Sequence, residues 1–462
     1  MRRALLAALL VACGGAEVRP TPAQQAVVRE LLVPEAECRA PGPSTVTRAE
    51  ALADLDRLEH LFARGYAGHG DVPAARWAQA AAEVRADLPA DLSPLALRDR
   101  IVGAYRFLAD NHVGLWVFAG DRDWESTGTH LRPFAGPPLQ RSTEGWLLDG
   151  EPYGGTADVR PFWTPEGLAW RPVILASEAP DAEVPFEPLP PQSLRAGPAF
   201  EREGGRVVLR SLMTPDADAL ERFVAAATPL RDEPVVTMDM HGTGGGADRY
   251  LVRFFARFAG RRLSYWTTGT LTSEATLQGA ANFWGCIRAA RGDAGEAGRA
   301  WLDERIARAH RELDEAALRA PFRDLERQPR HVPRRVPEAF GGRLIVATGP
   351  GCASACETTV LLARQLPGTW IVGHNTSGTM KVGELRWYRL EHSRIWLALG
   401  RRAHESPIGG FEEERGFLPD LWVDGPLGPA LESLEACARD AECAARVEDA
   451  IAATTGAPTP RR

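Results

Sequence analysis

The run Leu344-Ile345-Val346-Ala347-Thr348 leads through small residues into Glu357-Thr358-Thr359-Val360-Leu361-Leu362-Ala363. Five apolar or β-branched residues without alternation read as a strand buried on both faces, and the segment behind them reads as a helix. A strand that passes directly into a helix belongs to a parallel sheet in an α/β fold. The turn between them, Gly351-Cys352-Ala353-Ser354-Ala355-Cys356-Glu357, lifts one hydroxyl to the carboxyl edge of that sheet. It also aims the free amides of the helix start at whatever binds there. Ser354 is therefore either a nucleophile with amide donors beside it or part of a close-packed turn, and this feature alone leaves both open.

The same pattern extends around it. Val207-Val208-Leu209 reads as a strand and Asp216 to Thr228 as a helix. Val235 to Asp239 reads as a strand that runs into His241-Gly242-Thr243-Gly244-Gly245-Gly246, after which Tyr250 to Phe258 resumes as a helix. Further strands are expected at Trp370 to Val372 and Ile395 to Leu399, and an arginine- and glutamate-rich amphipathic insert at 293–326. Upstream, residues 48–116 carry helical periodicity in Leu52, Leu55, Leu58, Leu61 and Phe62, then Trp77 to Leu88 and Leu97 to Leu108. The expected organisation is a signal segment at 1–13, a Pro/Ala/Gly-rich tether at 14–47 and a helical N-terminal domain at 48–116. A small β insert with a proline-rich linker follows at 117–204, then an α/β core at 205–430 and a C-terminal helix and tail at 431–462.

Met1-Arg2-Arg3 followed by a short apolar stretch and Leu10-Val11-Ala12-Cys13 reads as an export signal, too short to span a bilayer as a mature helix. The last four residues resemble the lipobox of bacterial lipoproteins. That resemblance implies a diacylated Cys13, membrane attachment through this anchor, and a periplasmic or cell-envelope location. An ordinary secretory signal with an incidental Cys13 is the alternative. Six cysteines remain, an even count that permits disulfides in an exported chain. Cys437 and Cys443 are the expected local pair, and a bridge from Cys352 or Cys356 to Cys286 is the expected brace of the Ser354 turn. No cysteine has metal-ligand spacing, so no metal is expected. A net charge of −7 argues against nucleic acid as a partner. Lys381 is the sole lysine in the chain.

A serine nucleophile needs a base, a group that orients the base, and amide donors for the oxyanion. Among ten histidines, His112 stands at a helix-to-strand junction beside Asp110 and Asn111, whereas His60, His69 and His310 read as surface residues. The glycines at 242–246 let backbone amides approach a ligand. They lack the lysine and Ser/Thr of a phosphate loop, and a plain turn is the alternative.

In this order the pieces resemble the tail-specific (C-terminal processing) serine peptidases, a family that includes the tricorn core protease and the interphotoreceptor retinoid-binding proteins. Asp239 to Gly246 resembles the family's Asp-Leu-Arg-x-Asn-x-Gly-Gly, and Ser354-Ala355-Cys356-Glu357 its Ser-Ala-x-Glu. Gly373 to Gly378 resembles Gly-Glu-x-Thr-x-Gly, and Glu413 to Asp420 resembles Glu-x-x-Gly-[Val/Phe]-x-Pro-Asp. Asp110-Asn111-His112 is similar to the Asp-x-His of the tricorn-like branch. The family's dyad lysine would fall at Thr379, and no peptide-binding PDZ module precedes the core. The resemblance implies a crotonase-like (ClpP-like) spiral β/α core and Ser354 as nucleophile. It implies His112 as base and acid with Glu413 as its supporting carboxylate, and an oxyanion hole from Ala355 and Gly245. Arginine does not deprotonate, so Lys381, two residues past the dyad position, is the alternative base.

The expected protein is an exported, lipid-anchored serine peptidase acting on polypeptides without a cofactor. The rivals are a non-catalytic peptide- or apolar-ligand-binding protein on the same fold, and an acyl hydrolase using Ser354.

Overall fold

The computed structural model describes residues 30–117, 124–129, 131–182, 184–190, 197–213, 217–290, 296–316, 325, 327–336 and 338–455. The signal segment and Cys13 lie outside the described residues. The expected strands and helices of the core are present with shifts of a residue or two at their ends. They are strands Arg206–Leu209, Val235–Asp239, Arg343–Thr348 and Thr369–Gly373, and helices Ala217–Leu230, Arg249–Phe258 and Glu357–Ala363.

The four strands lie side by side and parallel, and Leu421–Val423 and Asp158–Thr164 continue the parallel run beyond Thr369–Gly373. Gly167–Ala176, Arg132–Ala135 and Glu187–Pro188 add on antiparallel at one edge, and Phe200–Glu203 at the other, making ten strands. Val235, Val236, Leu344, Ile345, Val346, Ala347, Ile371 and Val372 are buried, as a sheet covered on both faces requires. One face packs on the Ala217–Leu230, Arg249–Phe258 and Glu357–Ala363 helices through Phe223, Phe254, Phe258 and Leu361. The other packs on Leu427–Arg439 and Ala441–Thr455 through Leu431, Leu434 and Val447.

A second, antiparallel sheet of six strands joins Arg327–Val332, Leu263–Thr270, Trp396–Glu405, Gly114–Trp116 and Glu125–Ser126 in that order, with Val382–Arg389 also on Trp396–Glu405. The strand expected at Ile395 to Leu399 belongs here rather than to the parallel sheet. The expected β insert is likewise continuous with the main sheet, through the pairing of Asp158–Thr164 with Leu421–Val423.

The N-terminal helices Arg48–Gly65, Ala74–Arg85 and Pro94–Tyr105 start where their sequences cap them. Thr47 and Glu50 exchange side-chain and backbone hydrogen bonds, and Ser93 Oγ accepts from the Ala96 amide ahead of Pro94. Leu58, Leu61, Phe62, Ile101 and Tyr105 share one core with Val382, Tyr388, Leu397 and Leu399 of the second sheet. The stretch expected as a tether is packed from Leu31 onward. The Leu31 and Val33 amides donate to Gln278 and Asn282 of the Glu274–Ala290 helix.

The disulfides correct the expectation made for Cys286. Cys38 pairs with Cys286, Cys352 pairs with Cys356, and Cys437 pairs with Cys443 as expected. Cys38 sits on the packed N-terminal segment and reaches the helix that carries Cys286, whereas the two cysteines around Ser354 meet across their own turn.

Candidate active site

Ser354 has a backbone φ of +53°, the left-handed region that side chains other than glycine rarely occupy. Such a conformation costs on the order of 1–3 kcal/mol and persists only where its surroundings over-determine it. Here they do. The Cys352–Cys356 disulfide closes the turn around the serine. The Cys352 amide donates to Gly349 O at 2.8 Å and the Cys356 amide to Ala353 O at 3.0 Å. The Ala353 amide reaches Thr243 O in the glycine loop at 3.4 Å, and the Ser377 amide reaches Cys352 O at 3.0 Å.

The glycine loop touches the serine directly. A Cβ on Gly245 would stand 2.8 Å from Ser354 Cβ and 3.2 Å from its Oγ, so only glycine fits there. The Ala355 amide is in the first turn of its helix and has no carbonyl of that helix to bond. Among the described residues neither the Ala355 nor the Gly245 amide donates to another group. The two amides expected as oxyanion donors are therefore without an acceptor among the described residues, and Gly245 lies against the serine side chain.

Glu357, quoted in the sequence motif but given no role there, ties this turn to the loop at 376–379. Its Oε2 accepts from the Ser354 amide at 3.1 Å and the Thr379 amide at 2.9 Å, and its Oε1 from Thr376 Oγ1 at 2.7 Å and the Gly378 amide at 2.8 Å. The side chain is fully buried, and burial pushes its pKa up to about 7 against the pull of those four donors. Gly378 (φ +70°) is where the segments meet. Its carbonyl accepts from the Glu414 amide at 2.9 Å and from Asn111 Nδ2 at 3.4 Å.

Asn111 brings His112 to the same loop. The His112 amide donates to Asp110 Oδ1 at 2.8 Å, and Tyr66 OH donates to Asp110 Oδ2 at 2.7 Å. Burial lowers the His112 pKa, opposed by the Asp110 charge and the Val382 main chain. A neutral imidazole is the form a base requires. Among the described residues His112 Nδ1 is buried without a partner. His404, which the sequence did not single out, is its neighbour. The Cε1 atoms of His404 and His112 lie 3.4 and 3.7 Å from where a Cβ on Gly383 would be. Burial, then the Arg402 and His112 charges, take the His404 pKa down to about 3.

Glu413 stands differently from expectation. Its Oε2 accepts from the Met380 and Lys381 amides at 3.0 and 2.7 Å, and it makes no hydrogen bond to the His112 imidazole; among the described residues its Oε1 is buried without a partner. Burial, then the nearby Asp110 carboxylate, holds its pKa well above the usual carboxylate range. Lys381 is exposed; its main-chain amide donates to Glu413, and its ammonium charge acts on the buried Asp110. Among the described residues Ser354 Oγ is hydrogen-bonded to neither His112 nor Lys381.

No protein-family model matches the chain, and no curated protein matches it. Several solved structures are similar to it in part. Mature CPAF aligns with a TM-score of 0.47 at 14% identity, over 87% of this chain and 98% of its own. A peptidase from Parabacteroides merdae aligns with a TM-score of 0.43 at 13% identity, over 90% and 100%. The photosystem II D1 C-terminal processing protease aligns with a TM-score of 0.41 at 15% identity, over 86% and 98%. All three scores fall below one half, a level of likeness from which shared function does not follow.

Proposed function

We propose that this chain is an exported, lipid-anchored serine peptidase of the tail-specific family, with Ser354 as nucleophile and His112 as base. The observation that carries the reading is Ser354 itself. It is a serine held at positive φ in a disulfide-closed turn, against Gly245, where any side chain would overlap it. Ala109, Glu384 and Glu414 share a positive φ, so what sets Ser354 apart is a hydroxyl placed against the glycine loop at the start of a helix.

In this reading His112 takes the Ser354 proton as Oγ attacks the peptide carbonyl. The Ala355 and Gly245 amides hold the oxyanion, and His112 returns the proton to the leaving amine. Water then releases the acyl group by the same route, so no cofactor enters. Glu413 acts by fixing the Met380–Lys381 main chain beside the imidazole, and Lys381 is the alternative base. We further propose the tricorn-like branch, with a crotonase-like spiral core. The cell envelope is proposed as location, with Cys13 as the lipid anchor. Three disulfides among the described residues suit an oxidising compartment.

A fluorophosphonate should label the wild type and not Ser354→Ala, and the labelled protein should lose hydrolysis of an unfolded polypeptide. An unlabelled Ser354 in folded protein would sink the enzyme reading and leave the binding protein. Labelling with ester but no peptide turnover would leave the acyl hydrolase. Full peptidase activity in His112→Ala with loss in Lys381→Ala would move the base to Lys381.

A further inference from the structure

The chain carries a net charge of −7, yet two of its segments hold nine arginines and no carboxylate. They are 249–262, with five arginines, and 327–335, with four. The fold brings the Arg334–Arg335 end of the second against the helix of the first, the Arg335 amide donating to Ala256 O at 2.9 Å, while Arg327 at its other end pairs with Asp71. Arg249, Arg253 and Arg257 recur every fourth residue on the outer face of the Arg249–Phe258 helix, whose inner face buries Tyr250, Leu251, Phe254 and Phe258. Arg253, Arg257 and Arg335 line a cavity of about 300 Å³ between helix and strand end. Arg253 is held by Glu221 at 2.5 and 2.7 Å. Among the described residues the Arg257 and Arg335 side chains have no ion-pair partner.

In sequence the row starts close to the site already described. Arg249 is four residues beyond Gly245, the glycine that lies against Ser354. Four residues of helix rise about 6 Å, and two residues of extended chain advance about 6.6 Å. Successive guanidinium groups therefore match alternate side chains of an extended peptide lying along the helix. Guanidinium forks suit carboxylates in paired hydrogen bonds, which an ammonium does not offer.

We infer that this arginine face is an exosite for an acidic segment of the polypeptide substrate, one rich in aspartate or glutamate outside the scissile bond. Turnover as a readout rests on the peptidase reading, but binding does not, so the test separates the two. A fluorescein-labelled deca-glutamate peptide and a deca-glutamine control are titrated by anisotropy into Ser354→Ala protein and into the same protein with Arg253, Arg257 and Arg335 changed to Ala. The acidic peptide should bind at least tenfold tighter than the control. The triple change should abolish that difference, and added salt should weaken binding. The triple variant should melt at the parent's temperature, since its changes lie at the surface. In active protein, a peptide substrate extended by five glutamates should gain at least fivefold in kcat/KM, and the triple variant should lose that gain while cleaving the unextended peptide as before. Equal binding of acidic and neutral peptides would overturn the exosite. So would binding to phosphatidylglycerol vesicles, lost in the triple variant, with no preference between the peptides, which would make the face a membrane contact. Preferential binding of the acidic peptide by a protein that cleaves nothing would uphold the acidic face and sink only the peptidase reading.

Discussion

Glu357 is the side chain on which the nucleophile turn closes. Its two oxygens receive three main-chain amides and one hydroxyl, so the ionised form satisfies every donor and the protonated form loses an acceptor site. Burial nevertheless pushes its pKa up to about 7, which places that change within the working range of a neutral-pH enzyme. Peptide kcat/KM should therefore fall as pH drops through about 7, reporting the loosening of Ser354 and Thr379 rather than protonation of the base. His112, with its pKa lowered by burial, would place its own limb below that of a free imidazole. Glu357→Gln should cost roughly 1.5–3 kcal/mol in the transition state, about ten- to a hundredfold in kcat, and should remove the limb near neutrality. A wild-type profile that stays flat to well below pH 6.5 would assign the acid limb to His112 and deny Glu357 this role.

Strands and helices with unbroken apolar runs were legible in the sequence, because continuous burial leaves one reading for Val235 to Asp239 or Leu344 to Thr348. The second sheet was mostly not. Val382–Arg389 carries Glu384 and two arginines. It becomes a strand because Arg386, Arg401 and Arg402 all pair with Glu384, a compensation formed only in three dimensions. The cysteine pairing was equally hidden, since six cysteines allow fifteen connectivities. The strand, turn and helix that carry Ser354 were legible from its neighbours, whereas the Glu357 contacts depend on where the loop at 376–379 folds back. The Cys352–Cys356 bridge closes a short loop, for which the chain-entropy model assigns only about 2 kcal/mol. Its consequence is local, because it holds the serine at positive φ. Cys352→Ala/Cys356→Ala should therefore lower kcat at least tenfold while shifting the urea midpoint by less than removal of Cys38–Cys286, which closes a loop of 248 residues. Unchanged fluorophosphonate labelling rates in the double variant would show that the other contacts suffice.

The site belongs to the whole molecule rather than to one lobe. His112 arrives from the helical N-terminal block and Ser354 from the parallel sheet. Between them Asn111 Nδ2 donates to Gly378 O and the Gly378 amide donates to Glu357, a relay that exists only when both are docked. Stability of the sheet edge that makes this possible should depend on pH through His374. That imidazole is buried at the end of the Thr369–Gly373 strand, with Nε2 at 3.2 Å from Val423 O. Burial takes its pKa down to about 4, so the folded state prefers it neutral. The unfolded chain binds its proton near pH 6.5, so stability is fully present above that value and is lost as pH falls toward 4. Raised carboxyls such as Glu357 act in the opposite sense, which makes the wild-type curve alone ambiguous. The comparison that isolates His374 is His374→Gln, whose amide can still donate to Val423 O but does not titrate. Between pH 7 and pH 5 the wild type should lose about 2 kcal/mol more unfolding free energy than the variant. Parallel losses in urea titrations at the two pH values would show that His374 gains its proton in the fold as easily as outside it.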